Sequence, residues 1–111
     1  MNQRIDTSVK FIIDTVMKND AVRWHRVKFT NNKFRCYLWE ATSSVTITKR
    51  PLGSVEVYNL KIRRWFRTVA RYELRTFADN KNDVELLKEL YEAASYKTLE
   101  RQIQKIIKRI M

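Results

Sequence analysis

The chain has 111 residues, a formal net charge of +11 and a pI near 10.1, and 44% of its residues are apolar. This apolar content excludes a disordered chain, and the length is that of one domain with a modest core. Because a strongly basic surface attracts polyanions, the candidate partners are nucleic acid, an acidic protein or anionic lipid.

The composition also disfavours disulfide-bonded or zinc-binding proteins and membrane-spanning proteins. Cys36 is the single cysteine, so an intramolecular disulfide and a multi-cysteine zinc site are excluded, and a reducing, intracellular (cytoplasmic) compartment is expected. The apolar runs are far shorter than the roughly 20 residues that span a bilayer, so we expect no transmembrane segment.

The first predicted element is an amphipathic helix over residues 5–18. Apolar residues recur there at spacings of three and four, which is the pattern of a helix with one buried face. These residues are Ile5, Val9, Ile12, Ile13, Val16 and Met17.

A β-hairpin is predicted next, around Asn31-Asn32. Residues that favour strands flank this pair, and Asn tolerates the positive φ of a two-residue turn. Such a loop places His25 opposite Leu38 on a mostly apolar side. The other side alternates bases with aromatic rings: Trp24, Arg26, Lys28, Arg35, Tyr37 and Trp39. This composition is typical of surfaces that bind single strands, although tryptophans packed under a helix are the alternative.

A second hairpin follows in the sequence VTITKRPLGSVEVY. Pro51 and Gly53 favour a type I turn over Arg50–Gly53, with Val45, Ile47, Val55 and Val57 sharing one face. The two hairpins over residues 22–59 are expected to form one small antiparallel sheet.

The segment at 60–77 contains the densest group of bases. In KIRRWFRTVARYELR, residues 61–75, six bases accompany one acid, and five of the six are arginine, which binds phosphate through paired hydrogen bonds. A helix is favoured because the arginines and the large apolar residues then separate onto opposite sides, and a strand is the alternative. Either form exposes a basic surface drawn from Arg63, Arg64, Arg67, Arg71 and Arg75.

Two helices are predicted over residues 83–111, with a break near Ser95, because the apolar stripes before and after it are out of register. Acids precede bases in this segment, as the helix dipole favours. After Tyr96 the second stripe steps by three and four residues, which is typical of a coiled-coil seam or of a helix lying on a membrane surface. Its candidate dimer interface is Leu99, Ile103, Ile106 and Ile110.

No motif in the sequence indicates catalysis. His25 is the single histidine, no metal-ligand spacing is present, and a single glycine excludes the glycine-rich phosphate loops. We therefore expect a non-enzymatic protein without a metal or cofactor.

Together these patterns predict one α+β domain over residues 1–111 that binds DNA or RNA mainly through phosphate contacts. In size and organisation the chain resembles the short accessory proteins of bacteriophages and mobile elements. The alternative function is therefore that of a regulator or inhibitor that binds an acidic host protein.

Overall fold

The chain folds as an antiparallel sheet with a helix at each end. The computed structural model describes residues 4–38 and 42–111. Within these ranges the strands form one five-stranded sheet in the order β1-β2-β3-β4-β5, so neighbours in sequence are neighbours in the sheet. The predicted α+β class is confirmed. The elements are α1 (Thr7–Lys18), β1 (Trp24–Arg26), β2 (Lys33–Leu38), β3 (Ser43–Leu52), β4 (Val55–Arg64), β5 (Arg67–Arg75) and α2 (Lys81–Ile110).

The core lies between one face of the sheet and the two helices. Helix α1 begins after Asp6, whose carboxylate accepts a hydrogen bond from the Ser8 N–H at 2.8 Å. Val9, Ile13 and Val16 of α1 are buried, as the amphipathic pattern predicts. From the sheet and α2, the core includes Trp24, Phe34, Cys36, Leu38, Val45, Ile47, Tyr58, Leu60, Ile62, Leu74, Val84, Leu87, Leu90 and Ala94.

A buried carboxylate joins the start of the described chain to the start of α2. Asp83 accepts a hydrogen bond from the Ile5 N–H at 2.9 Å and forms ion pairs with Lys10 at 3.3 Å and Arg4 at 3.6 Å. The Asp83 N–H donates to the side-chain oxygen of Asn80, the N-cap of α2. One side chain therefore fixes both helices relative to each other.

The predicted turn at Asn31-Asn32 is wrong, because the loop between β1 and β2 spans residues 27–32. Phe29 adopts a φ of 65°, and the Val27 carbonyl accepts hydrogen bonds from the Thr30 N–H at 3.2 Å and hydroxyl at 2.6 Å. Trp24 consequently pairs with Cys36, three residues from the predicted partner. An odd shift in register moves every side chain of the strand to the other face.

The second hairpin also turns later than predicted. Its loop is Gly53-Ser54, and Gly53 has a φ of +64°, which a type II′ turn requires at its first loop residue. Pro51 remains within β3 opposite Glu56, and Val57 lies opposite Arg50. Val57 is therefore on the other face from the core residues of β3, contrary to the predicted shared face.

The helix favoured for residues 60–77 is wrong, and the strand alternative is correct. This segment forms the end of β4 and all of β5, joined by a two-residue turn at Trp65-Phe66. Trp65 has a φ of 58° and donates its N–H to the Thr42 carbonyl at 2.6 Å. Pairing with the neighbouring strands overrides the local helical pattern, a common outcome because strand formation depends on context.

A single helix, α2, replaces the two predicted over residues 83–111. It continues through Ser95 to Ile110, and the two apolar stripes are two sides of the same helix. The first stripe packs on the sheet. The second, which includes Leu99, Ile103, Ile106 and Ile110, is exposed. Neither helix in the described ranges is long and apolar enough to cross a bilayer.

Candidate functional site

A row of bases crosses the face of the sheet that lies opposite the helices. Because side chains alternate along a strand, residues between core positions point to this open face. Arg35 of β2, Thr46 of β3, Lys61 of β4 and Arg71 of β5 are cross-strand partners in one line. We call these four residues the basic row.

Small hydroxyl residues form the floor between the bases. Ser44 and Thr46 lie on the open face of the central strand yet are only 7% and 3% exposed. Thr46 Oγ1 accepts a hydrogen bond from Arg35 Nε at 3.1 Å, which fixes the guanidinium beside the floor. The resulting depression, which we call the basic groove, measures about 280 Å³. It is lined by Lys33, Arg35, Thr46, Thr48, Arg50, Asn59, Leu60, Lys61, Arg71 and Glu73.

Positive charge dominates the basic groove. Five of its lining residues are bases and one, Glu73, is an acid that pairs with Arg50 at 3.1 Å. Partial burial lowers the pKa of Lys61, and the charges of neighbouring bases lower it further. Those bases are Arg71, Arg63, Lys33 and Arg35. An anion bound among them would relieve this repulsion.

Aromatic rings gather at one end of the groove. Tyr37 follows Arg35 on the open face of β2, and its ring stacks on His25 with centroids 5.7 Å apart and planes 16° from parallel. At the turn between β4 and β5, Trp65 is 65% exposed and Phe66 is 90% exposed. We call Tyr37, Trp65 and Phe66 the aromatic cluster, because all three line one shallow pocket with Arg35 and Arg63.

The fold brings only some of the predicted binding residues to this face. Those that line the basic groove or the adjoining pocket are Arg35, Tyr37, Arg63 and Arg71. Arg75 shares the face by alternation, opposite Val57. A bulge at Val69 shifts the register of β5, so Arg67 pairs with Arg64 and both alternate to the helix side.

Other predicted binding residues lie elsewhere. The register shift in the first hairpin buries Trp24 in the core, and Arg26 pairs with Phe34 and alternates to the helix side. Lys28 is exposed in the loop between β1 and β2. Trp39 lies outside the described residues.

Sequence reasoning missed Lys33, Arg50 and Lys61 as groove residues. The signal for two of them was a pair of bases separated by one apolar residue, in Lys33-Phe34-Arg35 and Lys61-Ile62-Arg63. In a strand this spacing places both bases on one face. Lys61 was missed because its segment was assigned to a helix.

The Cys36 thiol and the His25 imidazole lie on opposite faces of the sheet. Cys36 is buried in the core, and burial raises the pKa of its thiol to about 12. His25 lies on the open face rather than on the predicted apolar face. Its pKa is lowered by burial and by the charges of Arg35 and Arg101. A thiol–imidazole pair is therefore not formed, and within residues 4–38 and 42–111 no cluster of His, Cys, Asp or Glu could hold a metal.

Comparisons with known proteins do not identify a relative. No protein-family model matches the chain, and neither do any curated proteins or solved structures. The functional interpretation therefore depends on the chemistry of the basic groove and the aromatic cluster.

Proposed function

We propose that this protein binds nucleic acid through the basic groove, without catalysis and mainly through phosphate contacts. The observation that carries the proposal is the basic row. Its three bases come from three different strands and are aligned by the register of the sheet. The strand spacing of about 4.8 Å places Arg35 and Arg71 roughly 14 Å apart at their backbones.

This arrangement suits a linear polyanion better than a small anion. A chain of phosphates can contact bases along the whole row, whereas one small anion reaches only part of it. Arginine also donates two parallel hydrogen bonds to a phosphate, and the row contains an arginine at each end. The contacts are to the backbone, so binding should depend strongly on salt and weakly on sequence.

The charges on the open face differ from those of a surface that serves only solubility. Surface charges that serve solubility usually mix both signs, and ion pairs then neutralise much of the local field. In the basic groove the acid Glu73 pairs with Arg50 at the edge. Partial burial lowers the pKa of Lys61, the charges of the neighbouring bases lower it further, and a polyanionic ligand would relieve the repulsion among those bases.

The proposal is tested by fluorescence anisotropy with labelled DNA and RNA oligonucleotides between about 50 and 200 mM salt. Heparin serves as a generic polyanion, and polyglutamate represents an acidic protein surface. Binding to an oligonucleotide that persists near 150 mM salt and exceeds binding to both controls supports the proposal. Equal binding to heparin, or tighter binding to polyglutamate, would favour the acidic protein partner instead, and an affinity pull-down would then search for it.

A further inference from the structure

The aromatic cluster supplies stacking surfaces directly beside the basic groove. Tyr37 and Trp65 are at least half exposed, and Phe66 is 90% exposed. Rings of this size are normally buried in a domain, so a group of exposed rings indicates a surface that another molecule covers. Arg35 connects the cluster to the groove, since it lines both, and the Arg63 guanidinium donates to the Phe66 carbonyl at 3.2 Å.

The backbone holds one of these rings, Trp65, outward in an unfavourable conformation. Trp65 adopts a φ of 58°, a left-handed conformation that bulky side chains rarely occupy. Its N–H bond to the Thr42 carbonyl, at 2.6 Å, anchors the turn to the segment that precedes β3. Strain of this kind tends to occur where a side chain has a function that needs its position.

The width of the open face argues against recognition of duplex bases. Five strands at about 4.8 Å spacing give a face roughly 19 Å wide, whereas the major groove of DNA is about 12 Å wide and admits a helix or two strands. Bases in a duplex also stack on one another and expose only their edges. Rings on the surface of a sheet therefore reach the face of a base only when that base is unpaired.

We infer that the groove binds single-stranded nucleic acid, whose unpaired bases stack on Tyr37, Trp65 and Phe66 while its phosphates lie along the basic row. This inference rests on the proposed function and adds that the bound nucleic acid is single-stranded. Combined basic grooves and aromatic platforms are the usual means of holding single strands without sequence preference. DNA and RNA share this chemistry, and separate oligonucleotides distinguish them.

The experiment compares Phe66→Ala with Phe77→Ala. Phe77 is a matched control, because it is also an exposed phenylalanine, at 95%, and lies at the opposite end of β5, roughly 30 Å away at about 3.3 Å per residue. Anisotropy is measured near 150 mM salt with single strands of about 16 nucleotides, the same sequences as duplexes, and an abasic single strand of equal length.

We expect single strands to bind more tightly than duplexes and abasic strands. Phe66→Ala should weaken binding of the intact single strand roughly 5- to 100-fold and leave the abasic strand unchanged, since one stacked base is lost. Phe77→Ala should affect neither. Trp65→Phe, which keeps a ring, should bind nearly as well as the natural chain, and unchanged melting temperatures confirm folding.

Two results overturn the inference while the proposed function survives. One is equal affinity for single strands, duplexes and abasic strands, and the other is an equal effect of the Phe66 and Phe77 variants. Absence of binding to any oligonucleotide contradicts the proposed function itself. If Phe66→Ala fails to fold, tryptophan fluorescence is measured instead. The intact strand should quench it more in the natural chain than in Trp65→Phe, because Trp65 stacks on a base. Equal quenching of the two would overturn the inference.

Discussion

Removing two charges from the basic row should flatten the salt dependence of binding by a calculable amount. Five bases are available to phosphates: Lys33, Arg35, Lys61, Arg63 and Arg71, since Arg50 pairs with Glu73. Each phosphate contact with a single strand contributes roughly −0.7 to the slope of log affinity against log salt, so the expected slope is about −3.5. Affinity should then fall roughly 100-fold between about 50 and 200 mM salt.

The perturbation is Lys61→Gln combined with Arg71→Gln. With three contacts left, the slope should become about −2 and the loss of affinity over the same range roughly 20-fold. The fold should tolerate the change. Lys61 is half-buried and Arg71 is exposed on the open face, away from the core, so glutamine at both positions should leave the packing of the domain unchanged.

The assay is anisotropy at four salt concentrations, with circular dichroism to confirm folding. The matched control is Lys105→Gln combined with Lys108→Gln, which removes the same charge from the exposed end of α2. The control should keep the steep slope. If it flattens the slope as much as the groove variant does, binding depends on net charge alone, and the assignment of the phosphates to the groove is refuted.

Three further predictions concern stability and assembly. Asp83→Ala should lower the free energy of unfolding by about 1–3 kcal/mol, because the Ile5 N–H is left buried without a partner, and chemical denaturation measures the change. Cys36 ionises only in the unfolded chain between pH 8 and 10, so stability should fall by roughly 1.5–2 kcal/mol over that range, and Cys36→Ala should lose less. The exposed heptad stripe of α2 predicts a dimer of the natural chain that Ile103→Asp converts to a folded monomer in sedimentation experiments. A natural chain that is monomeric at high concentration would contradict this last prediction.

The sequence predicted the elements better than their register. Hydrophobic periodicity identified α1 and the first four strands but not β5, because period and burial are properties of one segment. Register depends on which residues form the turn. In the loop of residues 27–32 the residue with positive φ is Phe29 and neither of the two asparagines. Asparagine was the expected residue at positive φ, so the pattern could not show that a phenylalanine would occupy that conformation.

The prediction for α2 failed for a different physical reason. Its two apolar stripes were interpreted as two helices with a break near Ser95, because the stripes are out of register. The structure has one helix whose last buried residue is Thr98, and the residues of the second stripe are exposed. A helical wheel shows which residues share one side of a helix. Whether that side is buried depends on how far the sheet extends along the helix.

The bases on the open face come from several strands, so the density of positive charge there depends on the whole sheet and not on one segment of the sequence. As a helix, residues 60–77 would form a basic ladder whose arginines repel mainly one another. As strands, they place Lys61 and Arg71 beside Arg35, which is 36 residues away from Arg71 in sequence but in the same row of the sheet. Local patterns therefore underestimate the charge density, because it arises only when three strands align. Since the same alignment brings Tyr37 beside the Trp65-Phe66 turn, the register that creates the repulsion also creates the stacking surface next to it.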